Sequence, residues 1–155
     1  MITHSSINAS EEKLFRLIDA NLNRTREGMR VCEDILRFIL DSKPLTRAFK
    51  SLRHRIGRLT KKITNRKEYN RILLKNRDVK SDVGKKTYGF EKKRKNIYDV
   101  YCANLQRIKE SLRVLEEITK LSDKNVSNGF KRIRFDIYEL EKKSCGKLET
   151  ILHNR

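Results

Sequence analysis

Tryptophan is absent from this 155-residue chain, proline occurs once and glycine only six times. A β sandwich or barrel turns its chain repeatedly and draws on Gly and Pro at the corners, so this composition argues against both and favours helices. No apolar run approaches the roughly 20 residues needed to cross a bilayer. The opening M-I-T-H-S-S-I-N has no basic segment followed by an apolar one, so neither a membrane partner nor a secretory leader is expected and the reading is cytoplasmic. Cys32, Cys102 and Cys145 form an odd set without C-x-x-C or Cys/His spacing. That excludes an ordinary zinc site and a disulfide framework, and leaves reduced thiols in the core or on the surface. Acidic residues are also few, 20 against 38 Lys and Arg, for a net charge of +18. Self-repulsion on that scale suits polyanionic or phosphorylated partners, while a solvated lysine-rich surface accounts for it equally well.

What is present is a polar pattern written twice. A-N-L-N-R-T-R-E-G-M-R-V-C-E-D-I from 20 and A-N-L-Q-R-I-K-E-S-L-R-V-L-E-E-I from 103 agree at nine of sixteen positions. Packing alone asks only for some apolar residue at each core position, so recurring Asn, Arg and Glu point to a constraint beyond packing. The match extends to F-K-S-L-R-H-R-I-G-R-L from 49 and F-K-R-I-R-F-D-I-Y-E-L from 130.

Apolar residues at three- and four-residue steps, from Leu14 to Ile39, predict a first helix capped by Asn8 and Glu11 and ending near Asp41. Pro44 then suits the first turn of a second helix carrying Leu45, Phe49, Leu52, Ile56 and Leu59. The period resumes near Lys92 and runs to Ile118, S-D-K-N-V-S-N-G interrupts it at 122–129, and a last helix carries Phe130, Ile133, Ile137 and Leu140. The expected fold is therefore all-α: a single domain over 1–155, a helical bundle of two repeated hairpins, 11–64 and 92–153. Between them lies an insert at 65–91, with a short helix near Glu68 to Asn76 and then a loop.

On a helical wheel Asn21 and Asn104 fall within the apolar stripe, so each must either bridge backbone or line a polar cavity between helices. Arg24 and Arg107 lie at the stripe's edge, where Gly28 marks close helix approach or room for a ligand. Glu27, Arg30 and Glu33, with Glu110, Arg113 and Glu116, turn away from it. Pairs such as Arg30 with Asp34 and Glu33 with Arg37 read as surface ion pairs, or as a phosphate site and its supports. His54 stands where the repeat has Phe135, an asymmetry that hints at a site on one side only. In R-D-V-K-S-D-V-G from 77, Asp78 and Asp82 beside Gly84 offer oxygens for Mg²⁺, or simply form turns.

L-I-D-A-N-L-N-R-T-R-E-G-M-R-V-C-E-D-I-L-R-F-I-L-D from 17, L-T-R-A-F-K-S-L-R-H from 45, the segment from 77 and R-I-K-E-S-L-R-V-L-E-E from 107 are similar to a known family over nearly the whole chain. It is the helical hydroxymethylpyrimidine-phosphate kinase family of thiamine biosynthesis, the domain often fused ahead of thiamine-phosphate synthase. The resemblance implies transfer of the ATP γ-phosphoryl group to 4-amino-5-hydroxymethyl-2-methylpyrimidine phosphate, giving the diphosphate. With the chain ending at Arg155, synthase activity itself is not expected of it. Within the motif positions, Arg24, Arg53, Arg77 and Arg107 are the candidates for clamping phosphates. Asn21, Glu27, Gly28, His54, Asn104 and Glu110 are those for substrate binding, with Asp78 and Asp82 for Mg²⁺. The partners so implied are ATP, the phosphorylated pyrimidine and a thiamine-phosphate synthase, and a homo-oligomer is compatible with them.

Two alternatives stand beside the kinase. One is a noncatalytic adaptor that docks a thiamine enzyme. The other is a basic helical nucleic-acid binder, favoured by the charge and by K-K-R-K at 92–95 but disfavoured by the repeated motif, which holds as many acids as bases around each Asn.

Overall fold

The computed structural model describes residues 9–64 and 94–153, and places in them four helices: α1 Ala9–Phe38, α2 Lys43–Ile63, α3 Ile97–Thr119 and α4 Lys124–His153. The architecture is an all-α bundle. The insert at 65–91, with its expected helix and loop, lies outside the described residues, as does the expected cap at Asn8.

Each boundary has a local cause. After Phe38 the chain closes with Leu40 N–H on the Ile35 carbonyl at 3.1 Å and Ser42 N–H on that of Leu36 at 2.9 Å. Asp41 takes the left-handed conformation, φ 50°, which short polar side chains tolerate better than most. Pro44 then sits in the first turn of α2, where its missing N–H costs nothing. At the start of α3 the Asn96 side chain accepts from Asp99 N–H at 2.9 Å, so the helix begins at Ile97. The polar run 122–129, expected to interrupt the chain, is instead mostly the first turns of α4. Asp123 Oδ1 accepts from the N–H groups of Asn125 and Val126 at 2.8 and 3.2 Å, and these bonds start the helix six residues before Phe130. A cluster of capping residues had the composition of a loop.

All four helices contribute to one core, from Ile18 and Leu22 through Phe49 and Ile56 to Leu105, Phe130 and Ile137. Burial of each such side chain contributes about 1.5–3 kcal/mol. Leu17 and Ile39, which the sequence pattern includes in the stripe, are 44% and 47% exposed. Neighbouring helices run antiparallel, α1 against both α2 and α3, and α4 against the same two. A pseudo-twofold axis therefore exchanges the hairpins. Arg55 and Asp136, equivalent positions of the repeat, face each other across it in an ion pair.

Where α1 meets α3 the two halves diverge. The hydroxyls of Thr25 and Ser111 share a buried hydrogen bond of 2.7 Å. At the symmetry-related place stand Gly28 and Ile108, and a Cβ on Gly28 would lie 2.9 Å from Ile108 Cγ1 and 3.1 Å from the Asn104 carbonyl oxygen. Close helix approach is the reason for this glycine. Gly28→Val is expected to lower unfolding free energy by about 1–3 kcal/mol, read from equilibrium urea denaturation. An unchanged midpoint would mean that the helices part without cost.

The cysteines are all free, Cys32 buried and Cys102 and Cys145 partly so. Burial first, then the neighbouring thiols, raises the Cys32 thiol far above its ordinary range. Among the described residues no helix is long and apolar enough to cross a membrane.

Candidate functional site

Two buried glutamates anchor the polar chemistry. Glu33 is 6% exposed and Glu116 3%, and the two are equivalent in the repeat. The wheel turned both outward. The structure corrects this, because α2 and α4 close over that flank of α1 and α3 and carry arginines to meet them. A buried carboxylate is tolerated only when paired. Arg53 donates to Glu33 through Nε at 3.0 Å and Nη2 at 3.5 Å, and Arg30 approaches from the surface at 3.7 Å. In the other half Arg134 donates to Glu116 through Nε at 3.0 Å and Nη2 at 2.8 Å, and Arg113 at 2.8 Å. The expected pairs of Arg30 with Asp34 and Glu33 with Arg37 are replaced by these. Burial opposes the charge on Arg134, but its bonds to Glu116 and Tyr138 outweigh that and hold its pKa above the ordinary guanidinium value.

The trios match; their surroundings do not. In the first hairpin a cleft of about 890 Å³ opens between α1 and α2. Arg26, Glu27 and Arg30 line it from α1, and Arg53, His54, Gly57, Arg58 and Lys61 from α2. Five cations thus surround one lining carboxylate, a field that concentrates anions. In the second hairpin the equivalent of Gly57 is Tyr138 and that of His54 is Phe135. Their rings meet edge to face at 5.7 Å, with Arg134 against both. A smaller hollow of about 430 Å³ lies toward the N-terminal end of α4, lined by Asn128, Lys131, Arg132, Phe135 and Asp136, with charges of both signs.

A match to the ThiD2 family spans residues 16–143. The chain belongs to the ThiD2 family. The matched span contains the whole cleft and both ion-pair trios. Proteins named thiamine-phosphate synthase from Nostoc punctiforme, Synechocystis and Rhodopirellula baltica are 35%, 37% and 34% identical to this chain over 88%, 86% and 90% of its length. The chain spans only 36–37% of theirs, about a third. No solved structure matches it.

Within this ThiD2 chain, Glu27, Arg53 and His54 from the expected set come together in the cleft. Arg24 stands outside it, exposed, with Nη1 3.5 Å from Asn21 Oδ1, and Arg107 is exposed on α3. Glu110 is exposed and accepts from Gln106 at 2.7 Å. Asn21 donates to the Leu17 carbonyl and Asn104 to that of Val100, each at 2.8 Å within its own helix. The carboxamides thus bridge backbone, and Gly28 is spent on packing. Arg77, Asp78, Asp82 and Gly84 lie outside the described residues. Among the described residues no group of three or more His, Cys, Asp and Glu is placed to hold a metal ion.

Sequence reasoning missed Arg26, Gly57, Arg58 and Lys61. The repeat drew attention to what recurs, whereas at 57 and 58 the second hairpin has Tyr138 and Glu139. The signal for Glu33 was available: Glu33 recurs as Glu116 and Arg53 as Arg134, and a pair conserved across two hairpins marks a contact between their helices.

Proposed function

We propose that this ThiD2 chain serves thiamine biosynthesis beside a thiamine-phosphate synthase, and that its own reaction is phosphorylation of the aminopyrimidine monophosphate to the diphosphate. The name of these relatives, thiamine-phosphate synthase, supports the pathway. The observation that carries the kinase step is the cationic cleft between α1 and α2, with Arg53 held by a buried glutamate at its wall.

In this reaction an oxygen of the pyrimidine's phosphate attacks the γ-phosphorus of ATP. The bond from that phosphorus to the bridging oxygen breaks, and ADP departs with the electron pair. The second pKa of a phosphate monoester is about 6, so the attacking oxygen is already deprotonated at neutral pH and needs no base. What remains for the protein is to hold two anions together and neutralise charge. Glu33 occupies Nε and Nη2 of Arg53 and so fixes how the guanidinium presents its remaining donors. Arg26, Arg30, Arg58 and Lys61 supply further positive charge around the same space. Mg²⁺, for which Asp78 and Asp82 are the candidate ligands, would neutralise the nucleotide's phosphates.

A second reading, a noncatalytic domain that docks a synthase, is favoured by the relatives' being synthases of which the chain spans about a third. Purified protein incubated with ATP, Mg²⁺ and the pyrimidine monophosphate is expected to yield the diphosphate by mass spectrometry. Folded protein that forms none, yet co-purifies with a thiamine-phosphate synthase, would select the docking role instead.

A further inference from the structure

The second hairpin shows what fills the space that the first leaves open. Tyr138 lies with its ring centroid 5.7 Å from both Lys109 Nζ and Arg134 Cζ, and its hydroxyl accepts from Arg134 Nη1 at 3.0 Å. Phe135 meets it edge to face at the surface, the two rings being 52% and 38% exposed. Cations against an aromatic face attract it through the ring quadrupole, and the hydroxyl completes the guanidinium's bonding.

The equivalents of these four residues in the first hairpin are Arg26, Arg53, His54 and Gly57, and all four line the cleft. Both cations are kept and a flat ring still stands at 54. Only the tyrosine is missing. A Cβ on Gly57 would meet nothing within 4 Å, so unlike Gly28 this glycine has no packing to explain it, although it weakens the helix by about 1 kcal/mol relative to alanine. Beside it Glu139 of the second hairpin becomes Arg58, which turns a mixed surface into a cationic one.

We infer that the α1–α2 cleft takes an aromatic ring of the substrate in the place that Tyr138 occupies in the second hairpin, flanked by Arg26 and Arg53, with its anionic substituent on Arg53, where Arg134 meets the Tyr138 hydroxyl, and toward Arg58 and Lys61. In the second hairpin Tyr138 already holds that place against Lys109 and Arg134, so among the described residues the slot belongs to the first hairpin. This assignment rests on the reading of the cleft as the site for the phosphorylated aminopyrimidine. The adenine of ATP is the other ring that shares this chemistry.

Gly57→Tyr places a ring where the second hairpin has Tyr138 and tests the slot directly. Binding of the pyrimidine monophosphate and of ATP is measured separately by isothermal titration calorimetry, without turnover. The variant is expected to lose about tenfold or more in affinity for the pyrimidine, the scale of one base–aromatic stacking contact. Its thermal midpoint should not fall, since a helical glycine in open space is replaced. Gly146→Tyr, at a second open glycine on α4, is expected to bind as the parent does.

Undiminished pyrimidine affinity in Gly57→Tyr overturns the inference, as does loss of ATP binding alone or a parent chain that binds no pyrimidine monophosphate. Binding that Gly57→Tyr removes, in a chain that makes no diphosphate, would refute the kinase reading and leave the slot standing. Diphosphate formed by Gly57→Tyr at the parent rate would refute the slot and leave the kinase.

Discussion

Arg53→Ala is expected to lower kcat/KM for diphosphate formation by about 100- to 1,000-fold, the cost of removing one preorganised donor to a transition state's developing charge. Its guanidinium lies at the cleft wall with a quarter of the side chain exposed, and Glu33 holds it on the inner side. Most of the effect should fall on kcat, because the other cations of the cleft still bind ground-state phosphates. Arg53→Lys keeps the charge but loses the planar fork that meets Glu33 and a phosphate together, so it should recover little. Steady-state kinetics on both variants, with circular dichroism to verify the fold, read the outcome. A loss below about tenfold would remove Arg53 from the reaction.

Glu116→Ala is expected to cost about 3–5 kcal/mol of stability, the range for leaving one member of a buried ion pair alone. Arg134 is 11% exposed and donates two hydrogen bonds to this carboxylate, so its loss strands a guanidinium under α4. Against a total of about 5–15 kcal/mol for an ordinary domain, that is a large share. Urea denaturation at equilibrium measures it. Glu33→Ala should cost less, since Arg53 is 25% exposed and water can take the vacated place. The same pair of residues thus has two expected readouts: stability in the closed hairpin, and catalysis in the open one. Equal losses from the two variants would show that the cleft does not hydrate Arg53.

The fold was largely legible because burial of an apolar stripe is a local, periodic property. Leu45, Phe49, Leu52 and Ile56 are read from spacing alone and all are buried in α2. Reading failed where composition and structure separate. The run at 122–129 looked like a loop, yet Asp123 uses it to begin a helix. Glu33 and Glu116 looked external on single-helix wheels, because a wheel contains no second helix to cover them.

By itself the sequence determined that the protein is helical, that it is two hairpins related by a repeat, and which polar residues recur at matching positions. Spacing encodes these, since a helix places each residue on a face without reference to anything distant. Tertiary structure alone decided which recurring residues meet, that Asn21 and Asn104 turn to their own backbone, and that the two ion-pair trios have different surroundings, a cleft in one hairpin and an aromatic pair in the other. Glu33 faces Arg53 because α1 and α2 run antiparallel at one register. A cleft opens at Gly57 while a ring stands at the equivalent Tyr138, because one side chain, or its absence, decides whether two cations face a ring or open space.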